Sequence, residues 1–567
     1  MSRERLAAWL AWSVAASLVV NPAPTRAQHA GSELLLHDGR IWTNDPGRPE
    51  ATAILTRQGR IAWVGEADSA PPEAARARRI DLGGRRVVPG FNDAHTHFIE
   101  GGFALLAPPL LESDTPEEFA RQLGEYAATL PPGRWIDLPA AWDHERWPGH
   151  PLPSRRLIDP ATPRNPVWIR RPDGHVGLAN SLALELAGVT RDTPDPLGGA
   201  IDRDPATGEP TGILRDASDL VTRVIPPASE DEYREALDAA LAHAARLGVT
   251  SIQDMCYDQG PAAIRLYQEY ERAGKLTVRV FCRTELAGWL HPASVGVTAG
   301  YGTDRVRMGS LKEFADGALG SSTAYFFEEY DERSGFRGLL GEGLTPPDTF
   351  LQRAAAADSA RLQLSIHAIG DAAIALVLDQ FERIRESNPP WDRRWRIEHA
   401  QHMAAPDFAR MAGLGAIASV QPAHLVDDAR FVERKIGRER ASRTYAFRSF
   451  LDHGVTLAFG TDWYVAPLDP WHTVQAAVTR VVPDVAPQGW FPEQRIGLEE
   501  ALAAYTTGSA YAEFADGEKG RLAPGYLADL VVLDRDPWAI PPEELGEVGA
   551  VMTVIGGRVV WASENAE

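Results

Sequence analysis

The chain has 567 residues, 44% hydrophobic and 24% charged, an ordinary globular composition in a chain too long for one small core. A formal net charge of −21 argues against nucleic acid or an anionic membrane as partner. The only cysteines, Cys256 and Cys282, exclude a disulfide framework, and their apolar, strand-like surroundings predict two buried thiols.

Residues 1–27 read as a signal peptide. Arg3 and Arg5 precede an apolar stretch over 6–20, Pro22 and Pro24 break it, and Thr25-Arg26-Ala27 supplies a cleavage site. The expectation is an exported, periplasmic protein with no membrane contact after cleavage. From 28 to 86, LLLHDGRIWT, ATAILTRQGRIAWVG and RRIDLGGRRVVPG each carry an apolar run through a turn signal. Residues 515–567 have the same texture in GRLAPGYLADLVVLDRD and AVMTVIGGRVVWAS. Neither end is long enough to bury a core, which predicts that the two pair into one small β-sandwich beside a main domain over 87–514.

That domain opens on VVPGFNDAHTHF, where His95 and His97 stand two residues apart. On an extended strand both imidazoles project from one face, as a divalent metal requires. A segment over about 101–229 follows, rich in Pro, Trp and Arg, and a connection of that length implies a subdomain, placed here over the active face. Its candidate substrate contacts are His175 in PDGHVGLANS and Trp142, with Asp143 and Glu145 beside it. Helical patterns over 230–247, 261–274, 347–361 and 371–386 then alternate with the apolar runs GVTSIQDM, LTVRVFCR, VRMGSLKEF, LQLSIHAIG, WRIEHAQH, GAIASVQP and GVTLAFGTD. With the run before His95 these make eight strands, the pattern of an α/β fold closed as a (β/α)8 TIM barrel.

In that fold the site is built at the strand C-termini, where Lys312, His367, His399 and Asp462 fall. Loops beyond the strand ends add Asp316 and Ser321 in FADGALGSSTAYF and His424 in SVQPAHLVDD. Trp463 and Tyr464 are placed to line an apolar pocket, while His402 is expected to turn away.

GFNDAHTH, HAIGD, RIEHAQ and GTDW resemble the first-, fifth-, sixth- and eighth-strand motifs of the amidohydrolase superfamily, over nearly the whole mature chain. SLKEFADGALGSSTA, RPDGHVGLANSLALELAGVT and GGAIDRDPATGEPTGILRDAS resemble the branch of N-substituted formamide deformylases and exoenzyme-regulator-like proteins. The resemblance implies a distorted barrel with a flanking sandwich, and a homodimer. It implies one metal on His95, His97 and Asp462 and a second on His367 and His399, bridged by Lys312 as a carbamate. If Lys312 stays an amine, a mononuclear site with His367 as third imidazole and His399 in the outer shell is the alternative. Zinc suits these donors best, with manganese, iron or nickel open to the same set.

The expected reaction is hydrolysis of a carbon–nitrogen bond in a small-molecule N-acyl or N-formyl amide. Asp462 would take the proton of an activated water and pass it to the leaving nitrogen. An ester, lactone or cyclic amide is the alternative substrate for the same centre. A binding or regulatory protein without turnover is the alternative of another class.

Overall fold

The computed structural model describes residues 33–564 except 139–140, 145–146, 172–175, 197–199, 216, 257–259 and 321. Eight parallel strands form its centre: β1 (Phe91–Thr96), β2 (Val249–Asp254), β3 (Arg279–Glu285), β4 (Val306–Phe314), β5 (Gln363–Ala368), β6 (Arg396–His399), β7 (Ile417–Val420) and β8 (Leu457–Phe459). Each pairs with its neighbours in sequence order. The circle closes where the Asp462 amide donates to the His95 carbonyl at 2.7 Å and the His97 amide to that of Trp463 at 2.6 Å. A sheet buried on both faces has near-continuous apolar strands, which is why these eight runs stood out.

Helix α1 (Phe98–Leu106) leaves β1 directly, and α2 (Glu230–Leu247) feeds β2. A capping box at Ser229 and Glu232 starts α2, and Gly248, at φ 78°, ends it. Its buried stripe of Ala236, Leu237, Ala240, Leu241 and Ala244 packs in one cluster with Phe98 and Ile99. The two helices touch so closely that a Cβ on Gly102 would lie 2.0 Å from the Ala236 carbonyl oxygen. Gly102→Val is therefore expected to destabilise the fold by about 1–3 kcal/mol, the range for overpacking, read as a lower unfolding midpoint. Because α1 packs on the barrel, the insert begins after it and not at 101 as the sequence suggested.

The insert is a five-stranded sheet in the order Ala200–Arg203, Pro210–Arg215, Val176–Ala179, Val167–Arg170, Ile136–Leu138. Helices Pro116–Thr129 and Ser181–Ala187 flank it, and it has apolar clusters of its own.

Both chain ends meet in two further sheets. One runs Arg60–Gly65, Ala53–Arg57, Leu34–His37, Arg78–Asp81. The other runs Arg558–Ala562, Ala550–Ile555, Leu530–Leu533, Arg86–Pro89, Arg40–Trp42, Glu50–Ala51. Leu36, Ile54, Val87, Leu530 and Val554, drawn from both sheets and both ends, share one buried cluster. One boundary moves: Val87 and Val88 belong to this sandwich, and the barrel starts at Phe91. Gly90 makes the crossing where a Cβ would lie 2.2 Å from Thr250 Oγ1. Cys256 and Cys282 are free and buried. Among the described residues no helix is long and apolar enough to cross a membrane.

Candidate metal centre

β1 carries the first candidate ligand, His95, and Asp93 fixes it. The Asp93 carboxylate accepts from the amides of His95 (3.1 Å) and Thr461 (3.0 Å), the Thr461 hydroxyl (2.7 Å) and the Tyr505 hydroxyl (3.0 Å). It thereby ties β1 to the segment after β8. Burial raises its pKa to about 6, the four donors opposing the rise.

Beyond this tie, His95 Nε2 lies 3.4 Å and His97 Nε2 3.1 Å from Asp462 Oδ1. His399 joins His95 and Asp462 in a group whose donor atoms all lie within 4.8 Å of one another. The His367 ring stands 4.5 Å from that of His399, centre to centre. His399 and Asp462 hold positive φ angles of 70° and 59°. Such backbone is sparsely populated by non-glycine residues and concentrates at functional sites. Here it turns the last residue of β6 and the third residue after β8 into the mouth.

The imidazoles of His95 and His399 are oriented from behind, as metal-binding histidines usually are. His95 Nδ1 meets Glu398 Oε2 at 2.7 Å and His399 Nδ1 meets Gln421 Oε1 at 2.8 Å. Glu398 is itself fully buried, with Oε1 3.3 Å from Arg283 Nη1 and 2.8 Å from Arg396 Nε, and accepts from Ser365 Oγ. Burial works against its charge, but the two guanidinium groups hold its pKa well below the usual carboxylate range.

The electrostatics prepare the donors. Burial, with the positive charge of Lys312 adding to it, lowers the pKa of His95 and of His367 to about 3, so both rings keep a lone pair at neutral pH. His399 is likewise pushed down by burial and then by His367. Burial opposes ionisation of Asp462, yet His95 and His97 hold its carboxyl well below the ordinary range. Lys312 is buried at 3% exposure, its Nζ over the Phe314 ring at 4.5 Å and 4.0 Å from Met255 Sδ.

Two atoms test whether a metal fits. His95 Nε2 and Asp462 Oδ1 are both buried without a hydrogen-bond partner. Buried polar atoms are otherwise almost always paired, and a nitrogen lone pair facing a carboxylate oxygen is completed by a cation between them. The donor set of imidazoles and carboxylate fits a divalent metal.

The remaining expectations fare unevenly. His367 Nε2 donates to the Gly317 carbonyl at 3.2 Å and lies 3.7 Å from Asp316, so His399 sits more tightly in the donor group than His367. That ordering is the reverse of the mononuclear alternative. Asp316 is corrected from a substrate contact to a loop anchor. Its carboxylate accepts from the amides of Ile369 (2.9 Å), Gly370 (2.8 Å) and Tyr325 (2.8 Å), and burial lifts its pKa to about 7. Trp142 is also corrected: it is fully buried in the insert's own cluster, Nε1 donating to the Ile169 carbonyl at 3.1 Å. Trp463 packs inward on Phe98 and His243 at 5.6 and 5.5 Å, while Tyr464 faces the open side near His97. His424 opens a short helix after β7, its Nε2 buried without a hydrogen-bond partner. His402 turns away as expected, Nδ1 2.7 Å from Thr444 Oγ1. His175, Ser321 and Glu145 lie outside the described residues.

Glu398 lies within RIEHAQ, where the sequence alone does not announce its role behind His95. The signal that would have found it is chemical: each ligand imidazole needs a partner for its second nitrogen.

A parallel eight-stranded barrel carrying buried imidazoles and one carboxylate at its C-terminal rim defines a metal-dependent hydrolase. The sequence model described as the amidohydrolase family matches residues 78–561, and the chain belongs to that family. It is thus an enzyme of the class that hydrolyses carbon–nitrogen bonds other than peptide bonds. The chain is 37% identical to the protein LONG AFTER FAR-RED 3 of Arabidopsis thaliana, over 94% of this chain and 92% of that one. It is 29% identical to an N-substituted formamide deformylase of Arthrobacter pascens, over 93% and 97%. A solved metal-dependent hydrolase of Pyrococcus horikoshii OT3 superposes with a TM-score of 0.77 at 28% identity, covering 90% of this chain and 99% of that one.

Proposed function

We propose that this amidohydrolase cleaves the carbon–nitrogen bond of a small N-acyl or N-formyl amide, with Asp462 moving the proton. The observation that carries the proposal is the facing pair of buried, unpartnered atoms, His95 Nε2 and Asp462 Oδ1, inside a ring of imidazoles. His95, His97 and Asp462 would hold one cation and His367 and His399 a second, zinc being the best match to the donors. Bound there, a divalent cation supplies Lewis-acid chemistry, polarising a carbonyl and lowering the pKa of a water from about 16 toward about 7.

The chain's own groups do the rest. Asp462 Oδ1 faces the imidazoles, which leaves Oδ2 to accept the proton of the attacking water. The same oxygen then returns the proton to the leaving nitrogen, base becoming acid. Glu398 and Gln421 hold His95 and His399 in one orientation in advance, which limits the reorganisation needed at those two rings.

Lys312 would complete this donor set as a carbamate. An ammonium has no lone pair for a metal and would be repelled by two cations. Carbamylation with carbon dioxide would turn the same long side chain into an anionic oxygen donor for a cation. Metal content per chain tests both points. About two ions in the wild type, falling to one or fewer in Lys312→Ala, is the expected outcome. One ion in both would remove Lys312 from the ligand set. No metal in either, after reconstitution, would overturn the hydrolase mechanism.

A further inference from the structure

The main chain of Trp463 serves both proposed ligands beside it. Its carbonyl accepts from the His97 amide at 2.6 Å, and its own amide follows directly on Asp462. That amide donates to Thr461 Oγ1 at 3.1 Å, and the same hydroxyl donates to the Asp93 carboxylate at 2.7 Å. No step of the mechanism above uses the side chain.

The indole is 5% exposed and shares a buried cluster with residues of α1 and α2. The Phe98 ring, at the start of α1, meets it edge-on at 5.6 Å and 66°. The His243 ring, from α2, stacks on it at 5.5 Å and 30°. Burial, with Arg246 adding to it, lowers the pKa of His243, so an uncharged ring covers the indole at neutral pH. Gly101, on α1, makes the room. A Cβ there would lie 2.5 Å from Cε3 of the indole, far inside the separation of about 3.5–4.0 Å at which carbon atoms pack. Glycine weakens a helix, yet the Gly101 amide still closes the first turn on the His97 carbonyl at 2.8 Å. The ring against it accounts for the glycine.

What this clamp provides follows from the backbone. Asp462 stands at φ 59°, a conformation that persists only where its surroundings over-determine it. The next side chain, gripped by two helices, supplies that constraint. A ligand set of this kind has to be held to within about 0.5 Å.

We propose that Trp463 is a positioning residue: its indole, clamped between α1 and α2, sets Asp462 and His97 against each other and so shapes the cation site they share with His95. The inference rests on the metal-centre reading above and adds to it a residue that acts through the two ligands beside it.

The test uses the full-length protein stripped of metal, with zinc titrated by calorimetry and the visible spectrum of the cobalt form as signature. Gly101→Ala and Trp463→Phe should each weaken zinc binding about tenfold, within the range for groups that support metal ligands, and shift the cobalt spectrum. Alanine is the better helix former, so a loss in the first variant comes from the displaced indole and not from a weakened α1. The double variant should bind zinc more tightly than Gly101→Ala alone, since the smaller ring leaves room for the methyl group. Losses that add in the double variant, or zinc affinity and cobalt spectrum unmoved in both single variants, would overturn the role and leave the hydrolase reading standing. Should Gly101→Ala not fold, Trp463→Phe decides alone by the same two readouts. A wild type that takes up no zinc would overturn the metal-centre reading and this role with it.

Discussion

Asp462→Asn is expected to leave the protein folded and to lower kcat by about 10³-fold or more. Two arguments predict the intact fold. The amide matches the carboxylate in size, and asparagine tolerates the left-handed backbone that Asp462 adopts at φ 59°. The loss of rate has two sources. Proton transfer by a positioned side chain contributes about 10²–10⁴-fold, and an amide cannot carry it at neutral pH. The variant also removes the negative charge facing Nε2 of both His95 and His97, so one cation should be held more weakly. Circular dichroism, metal content and kcat on one preparation separate these effects. Turnover near the wild-type rate in a variant carrying its full metal complement would refute the proton-transfer role.

Glu398→Gln should be the more damaging change to the fold. Within the barrel this carboxylate balances Arg283 and Arg396, all three side chains being 0% exposed. Removing one partner of a buried ion pair costs about 3–5 kcal/mol, because the remaining charge has neither water nor a counter-ion. The second consequence falls on the metal. Without the carboxylate on His95 Nδ1, the ring loses what fixes its tautomer and orientation, a change that typically costs about 10–100-fold in metal affinity. Denaturant unfolding of the metal-free protein measures the first effect, and zinc titration of the folded variant the second. Unchanged values in both experiments would show that the arginine–glutamate group does not support His95.

Much of this was legible in the chain because parallel strands buried on both faces have apolar sequences, and barrel chemistry gathers at their ends. Helix α2 fell where its pattern placed it, over 230–247, because Ser229 and Gly248 mark its ends unambiguously. Other features depend on which residues face each other across the barrel. Glu398 meets His95 from 303 residues away, and no local pattern announces that pairing. Trp463 and Tyr464 are neighbours of equal promise in sequence. Only the direction of the chain after Asp462 sends the first into the α1/α2 layer and the second toward the open side. Val87 and Val88 looked like the start of β1 because apolarity does not tell one sheet from another. Trp142 misled for a related reason, since a tryptophan in an insert fills whichever core lies nearest.

The strand Arg86–Pro89 runs into β1, and its neighbour on one side is Leu530–Leu533 from the other end of the chain. The Gly90 amide, at the turn between them, donates to the Asp529 carbonyl at 3.0 Å. The segment that aims His95 is thus braced by residues from far along the chain, beyond every proposed ligand. A premature stop before Leu530 would spare every proposed ligand and still strip the support from behind the first of them. Nascent chains should therefore acquire a metal only once the strand Leu530–Leu533 has been made, and deletions that remove it should behave as metal-site mutations.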